Sequence, residues 1–172
     1  MKGEPMRLFI AINFSADTRS RLLALRDELR CKSRSGNFSA PENLHLTLVF
    51  LGECDARQAD IVKQILGASI FAPFEISFDQ VGRFRRDGGD LWWVGLCESK
   101  PLSALQRGLS DKLNAAGFVI DHRKYTPHIT LGREIVTDAN PWEIEPFVET
   151  VGTIELMRSE RIAGKLTYTE MR

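Results

Sequence analysis

Histidine and cysteine are scarce in this sequence, with three of each among 172 residues. Cys31, Cys54 and Cys97 stand far apart, their number is odd, and no Cys-x-x-Cys or Cys/His cluster occurs. Neither a disulfide framework nor a structural zinc site is expected. A net charge is also missing, since 23 Lys and Arg meet 23 Asp and Glu. A protein that grips long nucleic acid by bulk charge needs a basic excess, so that class is set aside. A local site for a nucleic-acid end remains open. Long apolar runs are absent too. Leu8–Ile12 is followed at once by Asn13, Asp17, Arg19 and Arg21, with no signal-peptide cleavage pattern. The expectation is a reduced, cytoplasmic monomer without a membrane anchor. At 43% hydrophobic and 27% charged residues, 172 residues suffice for one folded domain with a full core.

The chain reads as mixed strand and helix. Leu8–Ile12 is a strand, and Ser15 caps a helix bearing Leu22, Leu25 and Leu29. Lys32–Pro41 is a polar loop, Leu44–Leu51 a strand closed by Gly52, and Asp55 caps a helix to about Leu66. Phe74–Val81 alternates as a half-buried strand does, and Arg83–Asp90 is a basic turn. The pattern then restarts. Leu91–Leu96 is a strand, and Ser99 caps a helix with Pro101 in its first turn, ending at Asn114–Gly117. His128–Gly132 is a short strand. Phe147–Met157 and Leu166–Thr169 are strands joined by an Arg158–Gly164 turn.

This restart is an internal repeat. His45 and His128 are 83 residues apart, in His-Leu-Thr-Leu and His-Ile-Thr-Leu. The same offset carries Leu8–Ala11 onto Leu91–Val94 and the first capped helix onto Glu98–Asn114. The expected architecture is a duplicated α+β fold. It has two antiparallel sheets flanking a cleft, helices outside, and pseudo-twofold lobes at about residues 7–83 and 90–169. Neither half has a Gly-rich turn after its first strand, which argues against a doubly wound sheet.

In a strand, side chains two apart share a face. His45 therefore points with Thr47, and His128 with Thr130, while the intervening aliphatics face the core. A twofold would bring two imidazoles and two hydroxyls into one cleft. Imidazole titrates near ~6.5, so one ring can act as base and the other as acid. Threonine hydroxyls donate to phosphoryl oxygens. The set suits displacement at phosphorus, where charge builds on the nonbridging oxygens. The carboxylates near the histidines, Glu42 and Glu134, form no repeated ligand set, so no metal is expected. His122 has no repeat partner and lies in a charged run at the surface.

The segments Arg7–Ile12, Pro41–Gly52 and Tyr125–Arg133 resemble the 2H phosphoesterase superfamily. Within it they are most similar to the RNA 2′,3′-cyclic phosphodiesterases, also called 2′-5′ RNA ligases. The resemblance covers about Arg7 to Tyr168. It implies a bilobal fold and cofactor-free hydrolysis of a terminal 2′,3′-cyclic phosphate to a 2′-phosphate, with reversible 2′-5′ ligation. It implies RNA 3′ ends, transfer-RNA fragments among them, as partners. Carried over by position, His45, Thr47, His128 and Thr130 are the catalytic set. The order expected for the histidines is that His128 activates water and His45 protonates the 3′ oxygen, although the pseudo-symmetry permits the swap. Arg133 is expected to contact substrate, which requires a strand end or a bulge near Gly132 for it to reach the cleft. Phe9, Trp92, Trp93 and Tyr125 are candidates for stacking on a base. A small cyclic nucleotide or an ADP-ribose cyclic phosphate is an alternative substrate, and an RNA-end binding module without turnover is an alternative class.

Overall fold

The computed structural model describes residues 3–172. Of the Met1–Pro5 extension, Met1 and Lys2 lie outside the described residues. The order of elements is β1 (Met6–Ile12), α1 (Ala16–Cys31), β2 (Ser33–Phe38), a 3-10 turn (Pro41–Asn43), β3 (Leu46–Cys54), α2 (Ala56–Ala68) and β4 (Phe74–Phe84). Then come β5 (Asp90–Leu96), α3 (Lys100–Ala115), β6 (His128–Thr137), β7 (Trp142–Val151), β8 (Glu155–Ile162) and β9 (Lys165–Glu170).

The expected caps are present. The Ser15 side chain accepts from Thr18 N–H, and Ser99 accepts from Leu102 N–H. Asp55 and Gln58 form a reciprocal capping box, which satisfies two orphan donors of α2. One sheet runs β3-β1-β8-β9 and the other β2-β6-β5-β4-β7, all pairs antiparallel. The two sheets and three helices match the α+β expectation. A single core runs through both sheets. It joins Leu8, Ile10, Leu46 and Leu48 to Phe78, Trp92, Ile129 and Leu131, with Leu22, Val62 and Leu109 from the helices. The opposite face of the first sheet carries a separate cluster of Phe9, Ala11, Met157 and Tyr168. That face looks into the cleft.

Four local expectations are corrected. Ser33–Phe38 is a strand, not a loop; it pairs with β6 at the sheet edge, where polar residues are tolerated because one flank meets water. Phe147–Met157 is not one strand, because the chain leaves the ladder between Val151 and Glu155. Residues 158–162 continue β8, so the turn before β9 is only Ala163–Gly164. The β3 strand begins after His45 and runs on to Cys54. The sheets also redistribute the halves of the chain. β2 and β4 join the second sheet, while β8 and β9 join the first.

The pairing refines the repeat register. Ala11 faces Thr47 across β1–β3, and Trp93 faces Thr130 across β5–β6. The first strands of the two halves therefore match at an offset of 82, while the His-x-Thr strands keep 83. One residue of slip exchanges the faces of a strand. It puts Trp93, not Trp92, on the cleft side.

Candidate active site

His45 leaves the 3-10 turn with its Nδ1 2.8 Å from the carbonyl of Asn43. His128 opens β6 with its Nδ1 2.7 Å from the carbonyl of Thr126. Each contact reaches back two residues. A carbonyl can only accept, so Nδ1 carries the proton in both rings and Nε2 is left to face the cleft. The His45 Nε2 lies 2.9 Å from Thr47 Oγ1. The His45 ring rests on Phe9 at 4.9 Å between centroids and meets the edge of Tyr168 at 4.9 Å. His128 meets Phe84 edge-on at 5.2 Å, and Phe84 packs on Trp93 at 5.3 Å. Trp93 lies over Gly82, where a Cβ would meet its ring at 2.3 Å, so only glycine leaves room for this support.

Arg133 reaches the cleft through a bulge. Along β6, Gly132 pairs with Trp92 but Thr130 pairs with Trp93, so Leu131 is extra and the alternation shifts. The equivalent slip in β3 lies between Thr47 and Val49, opposite Ala11 and Ile10. A Cβ on Gly132 would meet Ile135 Cδ1 at 2.7 Å and the Asn37 carbonyl at 2.9 Å. The Arg133 charge is felt at His45, His128 and Tyr168.

Burial is the main cause that holds the His45 pKa down to about 4. The bond to Asn43 opposes this, and repulsion from Arg133 and His128 adds to it. His128 is also lowered, first by burial and then by Arg133, against its bond to Thr126. His45 thus senses the charge of His128 across the cleft. Two strands from different sheets present a neutral imidazole pair, two threonines and a guanidinium to one space. No group of three His, Cys, Asp or Glu arranged to hold a metal occurs among the described residues.

The aromatic candidates divide. Trp92 is fully buried in the core beside Trp142, so it offers no stacking surface. Phe9 is 3% exposed and lies beneath the His45 ring, supporting it rather than facing a base. The Tyr125 hydroxyl donates to the Thr47 carbonyl at 2.7 Å, tying the loop before β6 to β3. Burial raises the Tyr125 pKa. Arg83 is turned inward, donating to the Ala139 carbonyl and standing 3.9 Å from Asp90. His122 is exposed. One aromatic that the sequence did not single out as a stacking candidate is Phe50, 69% exposed and 6.1 Å from Phe9. It occupies in β3 the place that Arg133 occupies in β6. An aromatic five residues after a cleft histidine, at the repeat position of a candidate substrate arginine, was the available signal. Tyr168 was likewise missed, because its strand is remote in sequence.

An α+β fold of two antiparallel sheets, with a His-x-Thr pair at the cleft edge of each, defines a 2H phosphoesterase. The chain belongs to the 2′-5′ RNA ligase superfamily, whose family model matches residues 14–161. It is 35% identical over 129 residues to an RNA 2′,3′-cyclic phosphodiesterase of Archaeoglobus fulgidus, covering 74% of this chain and 72% of that protein. It is 30% identical over 174 residues to the Escherichia coli protein of the same name, covering 99% and 96%. Among solved structures, E. coli LigT complexed with 3′-AMP superposes with a TM-score of 0.83 at 27% identity, covering 99% of this chain and 96% of that one. TT0787 of Thermus thermophilus gives 0.81 at 26%, covering 97% and 96%.

Proposed function

We infer that this protein hydrolyses the terminal 2′,3′-cyclic phosphate of RNA to a 2′-phosphate end, without a metal, using His45 and His128 as the proton-transfer pair. The observation that carries the reading is the matched presentation of the two imidazoles. Each has Nδ1 tied to the carbonyl two residues upstream and Nε2 turned to a shared cleft. Pre-set rings of this kind lose little freedom on reaching the transition state.

Water attacks phosphorus as the bond to O3′ breaks. His128 Nε2, which has no partner among the described residues, takes the proton from water. His45 acts in its imidazolium form, in which Nε2 carries a proton besides that on Nδ1, and delivers the Nε2 proton to O3′. The products are a 3′-hydroxyl and a 2′-phosphate, and the proton count balances. Thr47, Thr130 and Arg133 hold the nonbridging oxygens as negative charge gathers there. Phe50 offers the open aromatic face for the terminal base. When a 5′-hydroxyl of RNA replaces water, the same displacement makes a 2′-5′ diester, and its reversal opens one. The shared register of the two His-x-Thr strands supports reading residues 1–172 as one domain of two pseudo-twofold lobes. Incubation with an oligonucleotide ending in a 2′,3′-cyclic phosphate, in excess EDTA, tests the reading. The expected product is a 2′-phosphate end at an undiminished rate. Loss of activity in EDTA, or a 3′-phosphate product, would overturn it.

A further inference from the structure

Arg7 is an exposed guanidinium on the cleft side of β1 with no ion-pair or hydrogen-bond partner among the described residues. Alternation along β1 puts it on the face of Phe9 and Ala11. It lies two positions beyond Phe9, roughly 7 Å along the strand, so it stands about one nucleotide away from the His45 end of the cleft. Its cross-strand neighbour on β8 is Ser159, whose own partner on β9 is Tyr168. On the other flank it faces Glu53 of β3, which is exposed and forms no ion pair with it. Tyr168 in turn packs on both His45 and Phe9. Arg7, Ser159 and Tyr168 thus form a donor row leading out of the cleft from the catalytic ring.

We propose that Arg7, with the Ser159 and Tyr168 hydroxyls, is a subsite for the phosphodiester that lies 5′ of the terminal nucleotide. The row rests on the reading of the cleft as an RNA-end site and adds to it a preference for a chain of at least two nucleotides. A 2′,3′-cyclic mononucleotide has a single phosphate and would leave the row empty. The chemistry of the row fits one anionic oxygen pair: a planar fork from Arg7 with two neutral donors on its β8 side. Burial raises the Tyr168 pKa, so its hydroxyl stays protonated and able to donate, while Arg133 and Arg7 pull in the opposite direction. Both guanidinium groups therefore act on the same hydroxyl. Glu53 opposes anion binding on the β3 flank, which favours a phosphate seated toward β8.

The test compares kcat/KM on 2′,3′-cyclic AMP and on the dinucleotide ApA ending in a 2′,3′-cyclic phosphate. Wild type, Arg7→Ala and Arg7→Lys are measured on both. The expected result is a fall of about tenfold in the dinucleotide-to-mononucleotide ratio for Arg7→Ala, with partial recovery in Arg7→Lys. The slope of log kcat/KM for the dinucleotide against log salt should also become shallower by about 0.7 in Arg7→Ala, the loss of one contact to a single strand. An unchanged ratio would overturn the subsite, whether the variant loses activity on both substrates or on neither. Wild type that turns over neither substrate would instead overturn the RNA-end reading. In that case the affinities of ApAp and 3′-AMP for wild type and Arg7→Ala still decide the subsite, by the same change in ratio.

Discussion

His45 and His128 share a backbone contact but differ in company. His45 is wedged between Phe9 and Tyr168 with its Nε2 at Thr47, whereas His128 meets the edge of Phe84 and its Nε2 has no hydrogen-bond partner among the described residues. Burial lowers both pKa values, that of His45 from 6.5 to about 4. The proposed mechanism needs one neutral and one protonated ring. The pH dependence of kcat/KM reports the free enzyme. Its limbs should therefore both lie below 6.5, with the acid limb near 4, and the rate should decline toward neutral pH. A profile that climbs through pH 7 would contradict the environment described for the two rings. The histidines and threonines were legible in the sequence because a repeated motif needs no tertiary knowledge. The aromatic neighbours were not. Trp92 and Trp93 are adjacent and chemically alike, and only the slip from 83 to 82 in β5 decides which one meets the cleft. Phe50 read as part of an apolar strand, because strand composition does not say which face a bulge will turn.

At the scale of elements, β6 shows how a local irregularity positions charge. A regular strand would send Arg133 away from His128, and the extra residue at Leu131 returns it. The need for that bulge was foreseeable from alternation, but its support was not, since the atoms that crowd Gly132 come from Ile135 and from Asn37 on β2. Gly132→Ala must move a backbone carbonyl that cannot rotate aside. The variant should lose about 1–3 kcal/mol of stability, measured by urea unfolding, and its kcat/KM should fall as Arg133 is displaced. Full activity at unchanged stability would show that the bulge tolerates a side chain. β2 itself was read as loop for a physical reason. Ser33–Phe38 carries few apolar residues and a glycine, so its strand state comes from pairing with β6 and not from its own propensity.

At the scale of the whole molecule, the two sheets exchange strands, so neither half of the chain builds a lobe alone. The capped helices and the restart of the pattern made the α+β class readable. The exchange was not readable, because pairing partners such as β1 and β8 lie far apart in sequence. The balance of 23 basic and 23 acidic residues also gains a meaning at this scale. A site that recognises one RNA end, as proposed, needs a few placed donors, for which Arg133 and Arg7 are the candidates, rather than a basic surface. The proposed mechanism divides acid and base between the two sheets. The most direct test is the rate of His45→Ala and His128→Ala on an RNA end whose cyclic phosphate carries sulfur in place of O3′. A thiolate leaves without a proton, so His45→Ala should recover most of its lost rate on this substrate while His128→Ala stays slow. Recovery of His128→Ala instead, or of neither variant, would contradict the division of roles.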